Sequence, residues 1–331
     1  MPEKLLRVEN LTVCAKTEKG MADIVDGISF SMNPGEILGI VGESGCGKSM
    51  TALAIAGLSA RNVRIRTGRI FFCGKDLRTL SREEIRKIQG KDLSMIFQDP
   101  LTSLNPLMKI GRQVSENLRL HSTLPKREIR RRTAEVLRRM GLPEPEKLMD
   151  AYPHELSGGM RQRVMIAAAV ICRPRLIIAD EPTTALDVTV QAQILGLLRE
   201  INRESGCAIL FISHDLSVVS QLCGRILVMY AGGIVEEGSA RDIFQNPAHE
   251  YTKGLIGSLP TGKMRGRRLK SIPGRVPMPS EKTAGCPFAP RCGKSCVQCL
   301  LRRPDFIEVS PGHRSACVRA KKESRPPYAL S

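Results

Sequence analysis

The chain has 331 residues, 42% hydrophobic and 25% charged, which suits one large globular α/β domain with an appendage. Its net charge of +18 is uneven, because residues 261–331 hold sixteen Lys and Arg against four Asp and Glu. The start, MPEKLLRVEN, has no apolar signal core, and the longest uncharged apolar run, VMIAAAVIC (164–172), is far below the ~18–20 residues of a membrane helix, so a secreted or membrane-spanning chain is not expected.

Along the chain, the continuous apolar runs EILGIVG (36–42), LSMIFQ (93–98), RLIIAD (175–180) and AILFIS (208–213) predict strands buried on both faces of a parallel sheet. Helical patterns follow at 48–58 and 188–204. Between 99 and 172 the pattern becomes helical throughout. There KREIRRRTAEVLRRM (126–140) puts Ile129, Val136, Leu137 and Met140 on one face and arginines on the other, which predicts a helical insert. RILVMYAGGIVEEG (225–238) reads as a hairpin around Gly232-Gly233. Beyond 259 periodicity fades, and Pro273, Pro277, Pro279, Pro287 and Pro290 predict a loop-rich tail. The fold class is thus α/β: a mainly parallel sheet, with a helical insert and a C-terminal cysteine segment.

GESGCGKS, comprising Gly42, Glu43, Ser44, Gly45, Cys46, Gly47, Lys48 and Ser49, fits G-x-x-x-x-G-K-[ST] between a buried strand and a helix. Its glycines let backbone N–H groups converge on an anion, and the helix adds its positive end. Lys48 suits β/γ-phosphates and Ser49 a Mg²⁺ ion. RLIIADEP then delivers Asp180 and Glu181 to a strand end, Asp180 as a Mg²⁺ partner and Glu181 as a base for an attacking water.

With these in place, LSGGMRQR (156–163) resembles the signature motif of ATP-binding cassette (ABC) ATPases. Gln98, TALD (184–187) and His214 in FISHD match that family's Q-loop, D-loop and switch histidine in order. The resemblance spans roughly 4–258, taken as the ATP-binding domain, with 259–331 as a C-terminal extension. It implies two domains packed head to tail around two ATP molecules, each loop Gly42–Ser49 facing the other copy's Ser157, Gly158 and Gly159. Ser157 supports this independently as an N-cap of a second anion-facing helix. The resemblance also implies Glu181 as general base, His214 on the γ-phosphate and Gln98 sensing Mg²⁺ and water. The family's aromatic ring under adenine has no counterpart here: Cys14 holds the nearest position and no aromatic precedes Phe30. Either the phosphates carry most of the binding, with looser base selectivity, or another residue substitutes.

Met160, IFQDPLTSLNP (96–106) and YTKGLIGSLP (251–260) resemble bacterial peptide and nickel importers. That group implies a second, different ATPase subunit, two permeases and an extracytoplasmic binding protein, with the chain peripheral on the cytoplasmic face of the inner membrane and no nucleic-acid partner. A nucleic-acid-linked ABC ATPase and a low-turnover regulatory subunit are the alternatives.

Four of the eleven cysteines, Cys286, Cys292, Cys296 and Cys299, crowd into fourteen residues, with Cys317 further on. In a reducing compartment such a segment points to metal rather than disulfides. Zinc and iron–sulfur both suit soft thiolates. The segment resembles the GC-x-F-x-x-RC…C…GH-x-x-AC pattern of peptide-importer ATPases, which implies a [4Fe–4S] cluster on Cys286, Cys292, Cys299 and Cys317. Nothing in the sequence brings this segment near Lys48 or Glu181. Cys14, Cys46, Cys73, Cys172, Cys207 and Cys223 are dispersed and read as small buried hydrophobes.

Overall fold

The computed structural model describes residues 3–17, 20–184, 186–259, 271–281 and 284–320. Part of the basic tail expected from the sequence, 260–270 and 321–331, lies outside them. Twelve strands run through the described chain: β1 (Leu6–Thr17), β2 (Gly20–Met32), β3 (Ile37–Val41), β4 (Val63–Phe72), β5 (Lys75–Asp76), β6 (Leu93–Ile96), β7 (Leu176–Asp180), β8 (Ala208–Ser213), β9 (Arg225–Tyr230), β10 (Gly233–Ser239), β11 (Ile307–Ser310) and β12 (His313–Ser315). An antiparallel sheet has the order β2-β1-β4-β5, and the main sheet the order β11-β12-β10-β9-β3-β8-β7-β6.

Within the main sheet β9, β3, β8, β7 and β6 are parallel. Their apolar runs show why. Ile177, Ala179, Ile209 and Phe211 join one core, while Leu176, Ile178, Leu210 and Ile212 join the other on the opposite face. A strand buried on both sides needs apolar residues at every position, not at alternate ones. The parallel strands also bring the C-terminal ends of β3, β7 and β8 to one edge, where open α/β sheets place ligands.

The insert contains helices at Ile110–Val114, Glu116–His121, Lys126–Arg139 and Gly158–Val170. Ile129, Leu137 and Met140 are buried and Val136 is half-buried, as the sequence spacing predicts. The arginines of Lys126–Arg139 stay exposed and pair along the helix, as Arg131 and Arg132 do with Glu128.

The tail matches expectation in part. Its described residues are loop-rich, but the two short strands among them, β11 and β12, join the edge of the main sheet, so a separate cysteine domain is not supported. β12 pairs with β10, and Ala316 N–H donates to the Val235 carbonyl at 2.8 Å. Phe288 packs on Tyr230 and Tyr251, with ring centroids 5.3 and 5.4 Å apart. His313 Nε2 lies 2.7 Å from Oε1 of the fully buried Glu236, which also accepts the Ala248 and His249 N–H groups at 2.6 and 2.9 Å. A buried carboxylate is stable only when its lone pairs are satisfied, so these contacts bind tail to body. Strands of three and four residues are too short to show a period, and for that reason they read as loop.

Candidate functional site

Between β3 and the helix Lys48–Ala56, the chain turns tightly through GESGCGKS. Two glycines are required by geometry. A Cβ on Gly42 would sit 2.1 Å from the Met229 carbonyl oxygen, and Gly47 holds φ +107°, a left-handed value that side chains disfavour. Cys46 is fully buried, with burial pushing its thiol up, and its side chain serves the core. Lys48 is itself buried, and its Nζ donates to the Gly42 and Glu43 carbonyls at 2.9 and 3.1 Å.

Three strand ends meet this loop. Ser49 Oγ donates to Asp180 Oδ1 at 3.0 Å. Burial is the main cause that raises Asp180 above the usual carboxylate range, so a cation beside it would relieve a desolvation cost. A hydroxyl and a carboxylate oxygen are hard donors of the kind Mg²⁺ accepts alongside phosphates and water, so these residues fit that ion.

Glu181 holds the centre. Its Oε2 accepts from Gln98 Nε2 at 3.1 Å and from the Thr184 hydroxyl at 2.9 Å, and lies 3.0 Å from His214 Nδ1. Its Oε1 is 4.0 Å from Lys48 Nζ. The backbone there has φ +47°, a conformation that costs a non-glycine residue on the order of 1–3 kcal/mol and recurs at functional sites. The Glu181 N–H bond to the Ile212 carbonyl, at 2.9 Å, and the three side-chain partners hold it.

Glu43, Ser44, Gly45, Gly47, Lys48, Ser49, Gln98, Glu181 and His214 line one cleft of about 720 Å³, together with Ile24, Met50, Thr184 and Pro279. Ser157, Gly158 and Gly159 do not line it. Ser157 caps the helix Gly158–Val170, accepting from Met160 N–H at 3.3 Å, and Ser157 and Gly158 face outward. One chain therefore carries two helix starts, at Lys48 and at Gly158, that do not line one cleft.

Comparison with known proteins settles the family. An ABC transporter model matches residues 25–184, and a model for the oligopeptide/dipeptide transporter C-terminal region matches 235–299. The oligopeptide transport ATP-binding protein OppD of Escherichia coli K12 is 48% identical, over 97% of this chain and 95% of its own length. The dipeptide transport ATP-binding protein DppD of Bacillus subtilis 168 is 48% identical, over 95% and 94%. This chain belongs to the ATP-binding subunits of peptide ABC transporters. Among solved structures, the ATP-binding cassette MJ0796, a dimer in a post-hydrolysis state bound to ADP and Pi, aligns with TM-score 0.65 at 28% identity, over 71% of this chain and 99% of that one. Among the described residues of this ATP-binding subunit, no helix is long and apolar enough to cross a membrane.

The C-terminal thiols of this ATP-binding subunit bear on the expected metal site. Cys286 and Cys292 are pushed up mainly by burial, and both also feel the charge of Cys317, as does Cys299. Cys296 Sγ lies 3.5 Å from Cys299 Sγ. Four thiols of this kind suit a soft metal chemically, while among the described residues no three His, Cys, Asp or Glu form a group able to hold a metal ion. Of the dispersed thiols, Cys14, Cys46, Cys207 and Cys223 are core residues, with burial pushing Cys207 and Cys223 up to about 12, while Cys73 and Cys172 are only half-buried.

Cys14 is fully buried in β1 and does not reach the cleft. Ile24 and Pro279 provide its apolar wall instead, and neither is aromatic. Sequence reasoning also missed Thr184 as a partner of Glu181, although it opens the quoted TALD motif, and it missed Arg291 and Tyr251 beside Glu43.

Proposed function

We propose that this ATP-binding subunit hydrolyses ATP at a site shared with a second ATPase subunit, and that the resulting closure drives two permeases to import peptide on the cytoplasmic face of the membrane. The observation that carries the reading is the gathering of Gln98, Thr184 and His214 on Glu181 beside the loop Gly42–Ser49, while Ser157 and Gly158 face outward. An outward helix start with an N-cap is idle within one chain and useful to the phosphates of another. The dimeric ADP- and Pi-bound cassette MJ0796 supports the pairing, and the peptide-transport names of OppD and DppD support the cargo class.

In this reading the loop's N–H groups and Lys48 take the triphosphate, Lys48 exchanging its loop carbonyls for phosphate oxygens. Ser49 and Asp180 would hold Mg²⁺, with Gln98 nearby, and the ion would neutralise developing charge on the phosphates. Glu181 takes the proton of the attacking water, and His214 then turns towards the γ-phosphate. The wall of Ile24 and Pro279 leaves base recognition to apolar contact, so affinity rests chiefly on phosphates.

The tagged chain, purified in mild detergent, is expected to bring down a different ATPase subunit, two permeases and ATP turnover that responds to peptide-loaded binding protein. A complex lacking permeases, or one whose turnover ignores peptide, would remove the transport assignment. Recovery of this chain alone as both ATPase halves would replace the heterodimer by a homodimer.

The [4Fe–4S] reading of Cys286, Cys292, Cys299 and Cys317, with zinc as its competitor, is supported by the soft-donor chemistry of four thiols and by the 3.5 Å approach of Cys296 Sγ to Cys299 Sγ in the same segment. Anaerobically purified protein is expected to carry about four iron atoms per chain and visible absorption. Stoichiometric zinc, or no metal, would end it.

A further inference from the structure

The tail reaches the phosphate loop. Arg291, directly before Cys292, lies in the short turn Ala289–Arg291, and its side chain is only 7% exposed. Its Nη1 donates to Glu43 Oε2 at 2.8 Å and to the Tyr230 hydroxyl at 3.3 Å. Its Nε donates to the Pro273 carbonyl at 2.7 Å and its Nη2 to the Ile272 carbonyl at 3.4 Å. Of these four acceptors only Glu43 is charged.

Glu43 is the first variable residue of GESGCGKS, and its backbone is held as well as its carboxylate. Its N–H donates to the Tyr251 hydroxyl at 2.9 Å, and its carbonyl accepts from Lys48 at 3.1 Å. A carboxylate beside a polyanion site repels the ligand unless a cation offsets it, and partial burial makes the repulsion stronger than in water. Lys48 belongs to the phosphates, so the cation available to Glu43 comes from 248 residues further on.

We propose that Arg291 is a positioning residue for nucleotide binding: by neutralising Glu43 and holding its side chain aside, it lets a carboxylate-bearing loop accept a polyphosphate. The cysteine segment is thereby tied to ATP affinity through one guanidinium. This rests on reading Gly42–Ser49 as the ATP-binding loop.

The test uses the full chain in its complex, with MgATP as the probe. Arg291→Ala should raise KM for ATP about tenfold and leave kcat within about twofold, the pattern of lost uniform binding. Adding Glu43→Gln to Arg291→Ala should return KM to within about twofold of the wild type, because the repelling charge is gone. A purely structural brace would not be rescued this way. Arg291→Lys should fall between the two, and the Arg291→Ala defect should shrink as salt rises. Should Arg291→Ala fail to fold, Arg291→Gln carries the test: a raised KM for MgATP that shrinks as salt rises supports the proposal, and an unchanged KM or a salt-independent rise overturns it. An unchanged KM in folded Arg291→Ala, or a raised KM that Glu43→Gln does not relieve, also overturns it. Lys48→Ala separates the premise, since loss of ATP binding there upholds the loop assignment, and normal binding would topple loop and proposal together.

Discussion

Glu181→Gln should lower phosphate release about a thousandfold, the middle of what a positioned general base contributes, while ATP binding persists. The amide is isosteric and retains an oxygen to accept from Gln98 and Thr184, so the local fold should survive. What it loses is the ability to take a proton from water and the charge facing Lys48, 4.0 Å away. Lower repulsion of the triphosphate should make the variant hold ATP at least as tightly as the wild type, with the closed ATPase pair accumulating in MgATP. Phosphate release and sizing chromatography measure the two effects on one sample. Ordinary turnover would place the base elsewhere.

Gly158→Asp should abolish turnover at the site this chain completes, by about 10²–10³-fold, the scale of losing a preorganised donor set aimed at transferring charge. The effect should be invisible in the isolated chain. Gly158 is exposed, and a Cβ there would meet nothing within 4 Å. A carboxylate in a helix's first turn is also electrostatically favourable for the helix itself. The melting temperature and the chain's own MgATP binding should therefore match the wild type, while the assembled complex loses ATP-driven closure. Full activity of the Gly158→Asp complex would mean that Ser157–Gly159 meets no nucleotide.

Legibility in the sequence tracked distance along the chain. The phosphate loop was readable because its parts are contiguous and flanked by a buried strand and a helix. Asp180 and Glu181 were readable because an apolar run ends on them. Gln98 and His214 were found through resemblance to a family, since Gln98 lies 83 residues and His214 33 residues from Glu181 and neither has a local signal. The insert's buried face was readable from spacing alone. The tail's loops were readable, but its two strands were not. Its strands are three and four residues long, and its anchoring contacts, Phe288 on Tyr230 and His313 on Glu236, join residues 58 and 77 positions apart.

Local order alone determined that this protein would have a strand–loop–helix cradle for phosphate, two carboxylates at a strand end and a second capped helix start. Each of these depends on neighbours in the chain, through backbone conformation, capping and burial of short apolar runs. Only the tertiary structure decided that Gln98, Thr184 and His214 share one carboxylate oxygen. It also decided that Arg291 sits on Glu43. Such contacts depend on which strand ends the sheet order brings side by side, and on which charge remains to be compensated once both are buried. A linear sequence does not display either quantity.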